Sequence, residues 1–209
     1  MLKCLKAATS SRHAALERKL PLLDANLSHA TYRHFVQRLF GFYDPLEAQL
    51  RALPWWGAVG VDYALRHKTP RLRRDLQVLG DDEARIAALP RCTRLPPLID
   101  PAQLWGCLYV IEGATLGGQI IIKHLHAHLG LTAASGASFF DGYGTQTGAR
   151  WKAFCASVPA EGDDVPGGRD ALLHSANLTF DLFSEWLFPG PAATLSMRLH
   201  ADSPGYPGP

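Results

Sequence analysis

The residues best suited to chemistry lie near the N-terminus and in the most apolar stretch of the chain. His13 stands in Lys6-Ala7-Ala8-Thr9-Ser10-Ser11-Arg12-His13-Ala14-Ala15-Leu16-Glu17. A neutral imidazole on a helix is a good axial ligand for iron. Lys6 comes two helical turns earlier on nearly the same face, where a cation could reach a bound carboxylate. Glu17 follows His13 at i+4, close enough to orient the imidazole. Taken alone, a single helical histidine is more often a solvated or satisfied core residue than a ligand. The second group is Glu112-Gly113-Ala114-Thr115-Leu116-Gly117-Gly118-Gln119. Each glycine inside a helix costs about 1 kcal/mol relative to alanine, so three in six positions call for a reason. Gly113 and Gly117, at i and i+4, share a face. That face could admit a flat ligand, or it could pack tightly against another helix.

These groups need helices to position them. Leu2, Leu5, Ala8, Leu16 and Leu20 form an apolar stripe that predicts a helix over residues 2–20, ended by Pro21. Ser28 is a candidate N-cap for a second helix carrying Tyr32, Phe35, Val36, Leu39, Phe40 and Tyr43. Pro45 either kinks that helix or starts a new one. Residues 54–68 are mixed, with Pro54-Trp55-Trp56-Gly57 as a turn. Thr69-Pro70 opens a helix to Leu79, closed by Gly80. A short helical segment over 81–89, a proline-rich loop over 90–100 and a long helix from Pro101 to Leu129, ended by Gly130, follow. Residues 131–148 read as a loop with Phe139, Phe140 and Tyr143 tucked inward. Further helices are expected over 149–158 and 169–187, separated by a polar turn at 159–168. Pro189-Gly190-Pro191 ends the helical part, giving one domain over 1–190 and a Pro/Gly-containing tail over 191–209, disordered beyond Ala201. No strand alternation or repeat is evident. The fold class is all-α.

Composition narrows the function. The chain has 209 residues, 47% of them hydrophobic, and a formal net charge of +2. That is enough for a real core and too little positive charge for a nucleic-acid binder. The window Leu104 to Ile122 is interrupted by Glu112, Gln119 and glycines, so it reads as a buried helix and not a membrane span. Lys3, Lys6, Arg12 and His13 break any signal-peptide core. A cytoplasmic protein is expected, with Cys4, Cys92, Cys107 and Cys155 as reduced thiols. His124, His126 and His128 read as a solvated helix end, Arg71, Arg73 and Arg74 as one exposed face, and Trp55-Trp56 as a packing anchor.

The ordered motifs carry a resemblance. Lys6-x-Ala8-Thr9 through His13 and Glu17 resembles the proximal helix of heme oxygenases, and Gly113-Ala114-Thr115-Leu116-Gly117-Gly118-Gln119 resembles their glycine-rich distal helix. Similarity extends through residues 28–50, 71–80 and 176–187, so it covers about residues 3–188 in the family's order. It is nearest to bacterial members, including those that supply biliverdin to bacterial phytochromes. The resemblance implies a single-domain helical fold with heme b, both cofactor and substrate, sandwiched between the two helices. His13 then matches the iron ligand. Gly113, Gly117 and Gly118 match the distal glycines, with Gly113 and Gly117 steering oxygen as co-substrate. Lys6 and Lys152 match propionate partners, with Arg150 as the near alternative to Lys152. Phe180 and Phe183 match pocket-lining aromatics. The products would be biliverdin, carbon monoxide and ferrous iron. Electrons would come from a ferredoxin or a flavoprotein reductase, since no flavin or nucleotide motif is present. Many animal members carry an aspartate where this chain has Ala114, which leaves the source of distal water ordering open. Two competitors remain: a heme carrier or sensor of the same fold without turnover, and a thiaminase-like helical enzyme, for which no cysteine–carboxylate set stands out.

Overall fold

The computed structural model describes residues 1–54, 56–159 and 167–190, and all regular structure among them is helical. Trp55, most of the expected polar turn and the 191–209 tail lie outside the described residues.

Helix α1 (Leu2–Glu17) stops three residues short of Pro21, which instead opens a short 3-10 turn, Pro21–Leu23. Helix α2 (His29–Arg51) starts where Ser28 Oγ accepts from the Thr31 N–H at 3.0 Å. It runs unbroken through Pro45. A proline there cannot donate to the carbonyl of Gly41. The Cys92 N–H takes that acceptor at 2.8 Å, so the helix continues with its backbone satisfied. In place of the expected turn around Trp56 stands a short helix, α3 (Trp56–Val59), followed by a 3-10 turn, Tyr63–Arg66. Trp56 stacks on Tyr63 and donates to the Leu50 carbonyl, a packing anchor as its neighbours suggest.

Helices α4 (Thr69–Val78) and α5 (Glu83–Ala88) follow the expected order. The long helix α6 (Pro101–Leu129) is capped by Asp100 at its start and by left-handed Gly130 at its end. Residues 131–148 are more structured than a loop. They contain α7 (Ser138–Asp141), a 3-10 turn at Gly144–Gln146, and the start of α8 (Thr147–Ser157). The reason lies far away in sequence: the Asp75 carboxylate on α4 accepts the Ser138 and Phe139 N–H groups, each at 2.8 Å. Phe140 is buried, and Phe139 packs against the core beside it. Helix α9 (Gly168–Leu187) completes the fold.

Helix α6 is the axis of the molecule. Helix α9 lies along it, close enough that a Cβ on Gly106 would stand 2.7 Å from the Ala176 nitrogen. Helices α7 and α8 pack on its other sides. By length and composition α6 is long and apolar enough to cross a membrane, contrary to the reading from its glycines and Glu112. Here it is the central helix, with Leu104, Cys107, Leu108, Ile111 and Leu125 in the core. Its polar residues did not reduce hydropathy enough to matter.

Candidate functional site

Helix α9 is the shared floor of the site. It packs extensively on both α1 and α6, while α1 and α6 hardly touch each other. The turn at Pro21–Leu23 packs on α6.

The α1 side is fixed by an interaction between residues far apart in the chain. Arg12 Nε donates to both Asp181 carboxylate oxygens on α9, at 2.8 and 2.9 Å, and Nη1 donates to Asn177 Oδ1 at 3.1 Å. This sets the roll of α1. His13, the next residue, is left with its side chain 57% exposed. Its Nδ1 lies 3.3 Å from Glu17 Oε2, so the other ring nitrogen, Nε2, is the one available to a ligand. Phe180 presses edge-on against the imidazole, with ring centroids 5.8 Å apart. Lys6 is exposed on the same helix.

On the α6 side the three glycines differ. A Cβ on Gly117 would have nothing within 4 Å, and one on Gly113 would make only ordinary contact with the Trp151 ring at 3.5 Å. A Cβ on Gly118 would stand 2.7 Å from the Phe140 carbonyl oxygen. Close packing of α6 on the α7 backbone therefore by itself requires glycine at position 118. Gly117 has no such explanation from its neighbours. Leu116 and Ile120 flank it, 39% and 64% exposed, although both are large apolar side chains. A helical glycine that no protein atom demands, flanked by exposed apolar side chains, leaves this stretch of α6 uncovered by the rest of the chain.

The remaining expected residues divide. Lys152 on α8 is exposed, whereas the Arg150 guanidinium is turned onto the Tyr143 ring at 4.9 Å. Phe183 packs on Phe42 and Tyr43 of α2, at 4.8 and 6.2 Å, so it buttresses the floor from behind. The rings of His124 and His128 stack at 3.8 Å, and His124 Nε2 lies 3.2 Å from the Asp24 carbonyl.

Sequence reasoning passed over a buried ionic cluster beside the distal glycines. Glu112, immediately before Gly113, is 1% exposed. It accepts from Lys68 Nζ at 2.6 Å, from Arg66 Nη1 at 2.5 Å and from the Tyr143 hydroxyl at 3.1 Å. Burial alone would raise its carboxyl pKa, but Lys68 and Arg66 together outweigh burial and hold it below the usual glutamate range. Buried Glu47 accepts the Lys68 and Thr69 N–H groups and the Tyr63 hydroxyl, tying the same segment to α2. A small cavity of about 20 Å³, roughly the room one water needs, lies beside Ala114 with Lys68, Thr115 and Tyr43 in its wall. The signal that could have revealed the cluster was Glu112 itself: a carboxylate in the most apolar window must find cations.

The chain is an all-helical protein with an exposed histidine on α1 and an uncovered glycine stretch on α6. Comparison with known proteins makes that class specific. The heme oxygenase family model matches residues 1–188. A heme oxygenase of Xanthomonas campestris pv. campestris (strain 8004) is 32% identical over 160 residues, covering 73% of this chain and 88% of that protein. Two solved structures share the fold. Heme oxygenase from Leptospira interrogans has a TM-score of 0.68 at 19% identity, covering 88% of this chain and 97% of that one. Heme oxygenase-1 from the cyanobacterium Synechocystis sp. PCC6803, in complex with heme, has a TM-score of 0.69 at 17% identity, covering 95% and 97%. The chain belongs to the heme oxygenase family.

Proposed function

We propose that this chain binds heme b between α1 and α6 and opens the ring to biliverdin, carbon monoxide and ferrous iron. The observation that carries the reading is Gly117, a costly helical glycine with open space before it; the exposed His13, whose Nδ1 is taken by Glu17, supports it. When bound, the heme supplies the oxygen-activating iron and is itself the substrate, with electrons delivered from outside.

The chain's own residues do the positioning. His13 holds the iron through Nε2, and Glu17 at Nδ1 fixes the tautomer and the ring direction. Phe180 restrains the plane of the imidazole. The Arg12–Asp181 pair keeps α1 from rolling and carrying His13 away. Gly113 and Gly117 would leave the α6 side open to a flat ligand, and Leu116 and Ile120 would keep bulk water off it. Lys6 and Lys152, both exposed, would pair with its carboxylates, and Gly118 and Phe183 would complete the surroundings. With Ala114 in place of an aspartate, the cavity lined by Lys68 and Thr115 is the best-placed polar space to order a distal water. A ferredoxin or flavoprotein reductase is the expected electron donor, and a bacterial phytochrome a fitting biliverdin acceptor. The four unpaired thiols support a reducing, cytoplasmic setting. The helical body over 1–190 is the working unit, with 191–209 as an appendage.

Heme added to the protein should produce a Soret band. Ascorbate and oxygen should then bleach it as biliverdin absorbance grows. A band that persists would mark a carrier and overturn the enzymatic reading. Absence of any band would overturn the heme site as well.

A further inference from the structure

A second hollow, of about 460 Å³, lies between the start of α4, the 141–146 segment and the first turn of α8, and shares Arg71 and Gly142 with the small cavity beside Ala114. Three guanidiniums line it: Arg71 and Arg74, at i and i+3 on one face of α4, and Arg150 from α8. The sequence suggests that Arg71, Arg73 and Arg74 form one solvated face, but they part company. Arg73 pairs with Glu83, and Arg66 nearby pairs with Glu112. Among the described residues, none of Arg71, Arg74 and Arg150 has a carboxylate within ion-pair distance. Asp141 is the single acidic residue in the wall.

Two of these guanidiniums are held in place despite lacking counterions. Arg71 and Arg150 lie over the Tyr143 ring, 5.3 and 4.9 Å from its centroid. Tyr143 in turn donates its hydroxyl to the buried Glu112 carboxylate, so the platform beneath them is anchored to the core. Helix α8 begins at the same wall with no side-chain cap on its first N–H groups, which adds to the positive potential. Like charges gathered on a fixed platform repel one another unless an anion joins them. The hollow is broad and open to solvent, and its lining comes from separate segments of the chain.

We propose that this hollow is a binding site for a small multivalent oxyanion, a phosphate-bearing or polycarboxylate molecule, gripped by Arg71, Arg74 and Arg150. Bidentate guanidinium contacts match both chemistries. The test is calorimetric titration of the full chain, without heme, at low ionic strength. Inorganic pyrophosphate and citrate are the two probes, and the better binder identifies the source of the oxyanion. Saturable one-to-one binding is expected for at least one of them, weakening as salt is added. Arg71→Gln and Arg150→Gln should each weaken it about tenfold, the loss expected when one charge-assisted contact is removed. Arg150→Lys should recover part of that loss. Arg51→Gln, at an exposed arginine in the last turn of α2, should leave it unchanged. Melting temperatures of the variants control for folding. Failure of both probes to saturate overturns the site. So does equal weakening by Arg51→Gln and Arg71→Gln, which would mark diffuse attraction to a basic surface. Because the protein is free of heme, the result stands apart from the heme oxygenase reading.

Discussion

Replacing Gly117 and Gly118 in parallel separates a ligand-facing glycine from a packing glycine one residue away. In a helix interior, alanine is favoured over glycine by about 1 kcal/mol. At Gly117 nothing opposes that gain, since the new Cβ would have no neighbour within 4 Å. Gly117→Ala should therefore raise the melting temperature of the heme-free protein by about 1–4 °C. At Gly118 the Cβ would stand 2.7 Å from the Phe140 carbonyl oxygen. That backbone cannot give way cheaply, because Asp75 grips the adjacent Ser138 and Phe139 N–H groups. Overpacking of this kind costs about 1–3 kcal/mol, which cancels or exceeds the propensity gain. Gly118→Ala should thus leave the melting temperature level or lower it by several degrees, while its folded fraction still makes biliverdin. Gly117→Leu is the functional arm. It should stay folded without heme yet cut biliverdin formation by about tenfold or more, because a side chain there displaces the reacting partners. The assays are thermal melting by circular dichroism on the heme-free protein and biliverdin absorbance under ascorbate and oxygen. If Gly117→Leu turns heme over at the wild-type rate, or if Gly117→Ala destabilises as much as Gly118→Ala, the assignment of the two faces is wrong.

Three further outcomes follow from the same geometry. His13→Ala should leave heme-free stability within about 0.5 kcal/mol, since an exposed side chain is removed, but it should abolish the wild-type heme spectrum and ring opening; an unchanged spectrum would move the ligand elsewhere. Lys6→Ala and Lys152→Ala should each weaken heme binding modestly, by about 1 kcal/mol at most as exposed pairs, and the double variant should alter heme affinity or the ratio of biliverdin isomers; no change in either quantity removes these lysines from the site. Glu112→Gln leaves Lys68 and Arg66 buried without their carboxylate and should cost about 3 kcal/mol or more at neutral pH. Because Lys68 and Arg66 depress the Glu112 pKa against the pull of burial, the stability it confers is fully present above its unfolded value and is lost as the pH falls through the folded one. The gap in melting temperature between wild type and variant should accordingly narrow on acidification below about pH 4; a constant gap refutes the ionic origin.

What could be read in the sequence was what is encoded locally. The Ser28 cap, Pro70 at the head of α4, and Gly130 after α6 act within one turn of themselves, and the structure has each in place. His13 and Glu17 are likewise an i, i+4 pair whose contact needs only a helix. Features set by distant partners could not be read. Whether Pro45 broke α2 depended on Cys92 donating to Gly41 from 51 residues away. The helix α7 exists because Asp75 caps it across 63 residues. Gly117 and Gly118 are indistinguishable as letters, and only the Phe140 carbonyl tells them apart. The separate fates of Arg71, Arg73 and Arg74 depended on Glu83 and Tyr143, neither of which helical spacing within α4 identifies.

The membrane-like character of α6 has the same origin as its function. A central helix of a soluble bundle needs apolar residues on the faces its neighbours cover, and polar ones elsewhere. Helix α6 carries apolar residues on its uncovered face too, in Leu116 and Ile120, and glycine between them. Less than half of its most apolar stretch is buried by protein, so protein packing alone does not account for the sequence. The proposed flat apolar ligand on that face would account for the rest, since burying it recovers about 25 cal/mol for each Å² withdrawn from water. On this view the heme is the last layer of the core. The glycines that give it access, the exposed leucine and isoleucine that receive it, and the buried Glu112 cluster that stiffens the helix behind it are parts of one solution to the same packing problem.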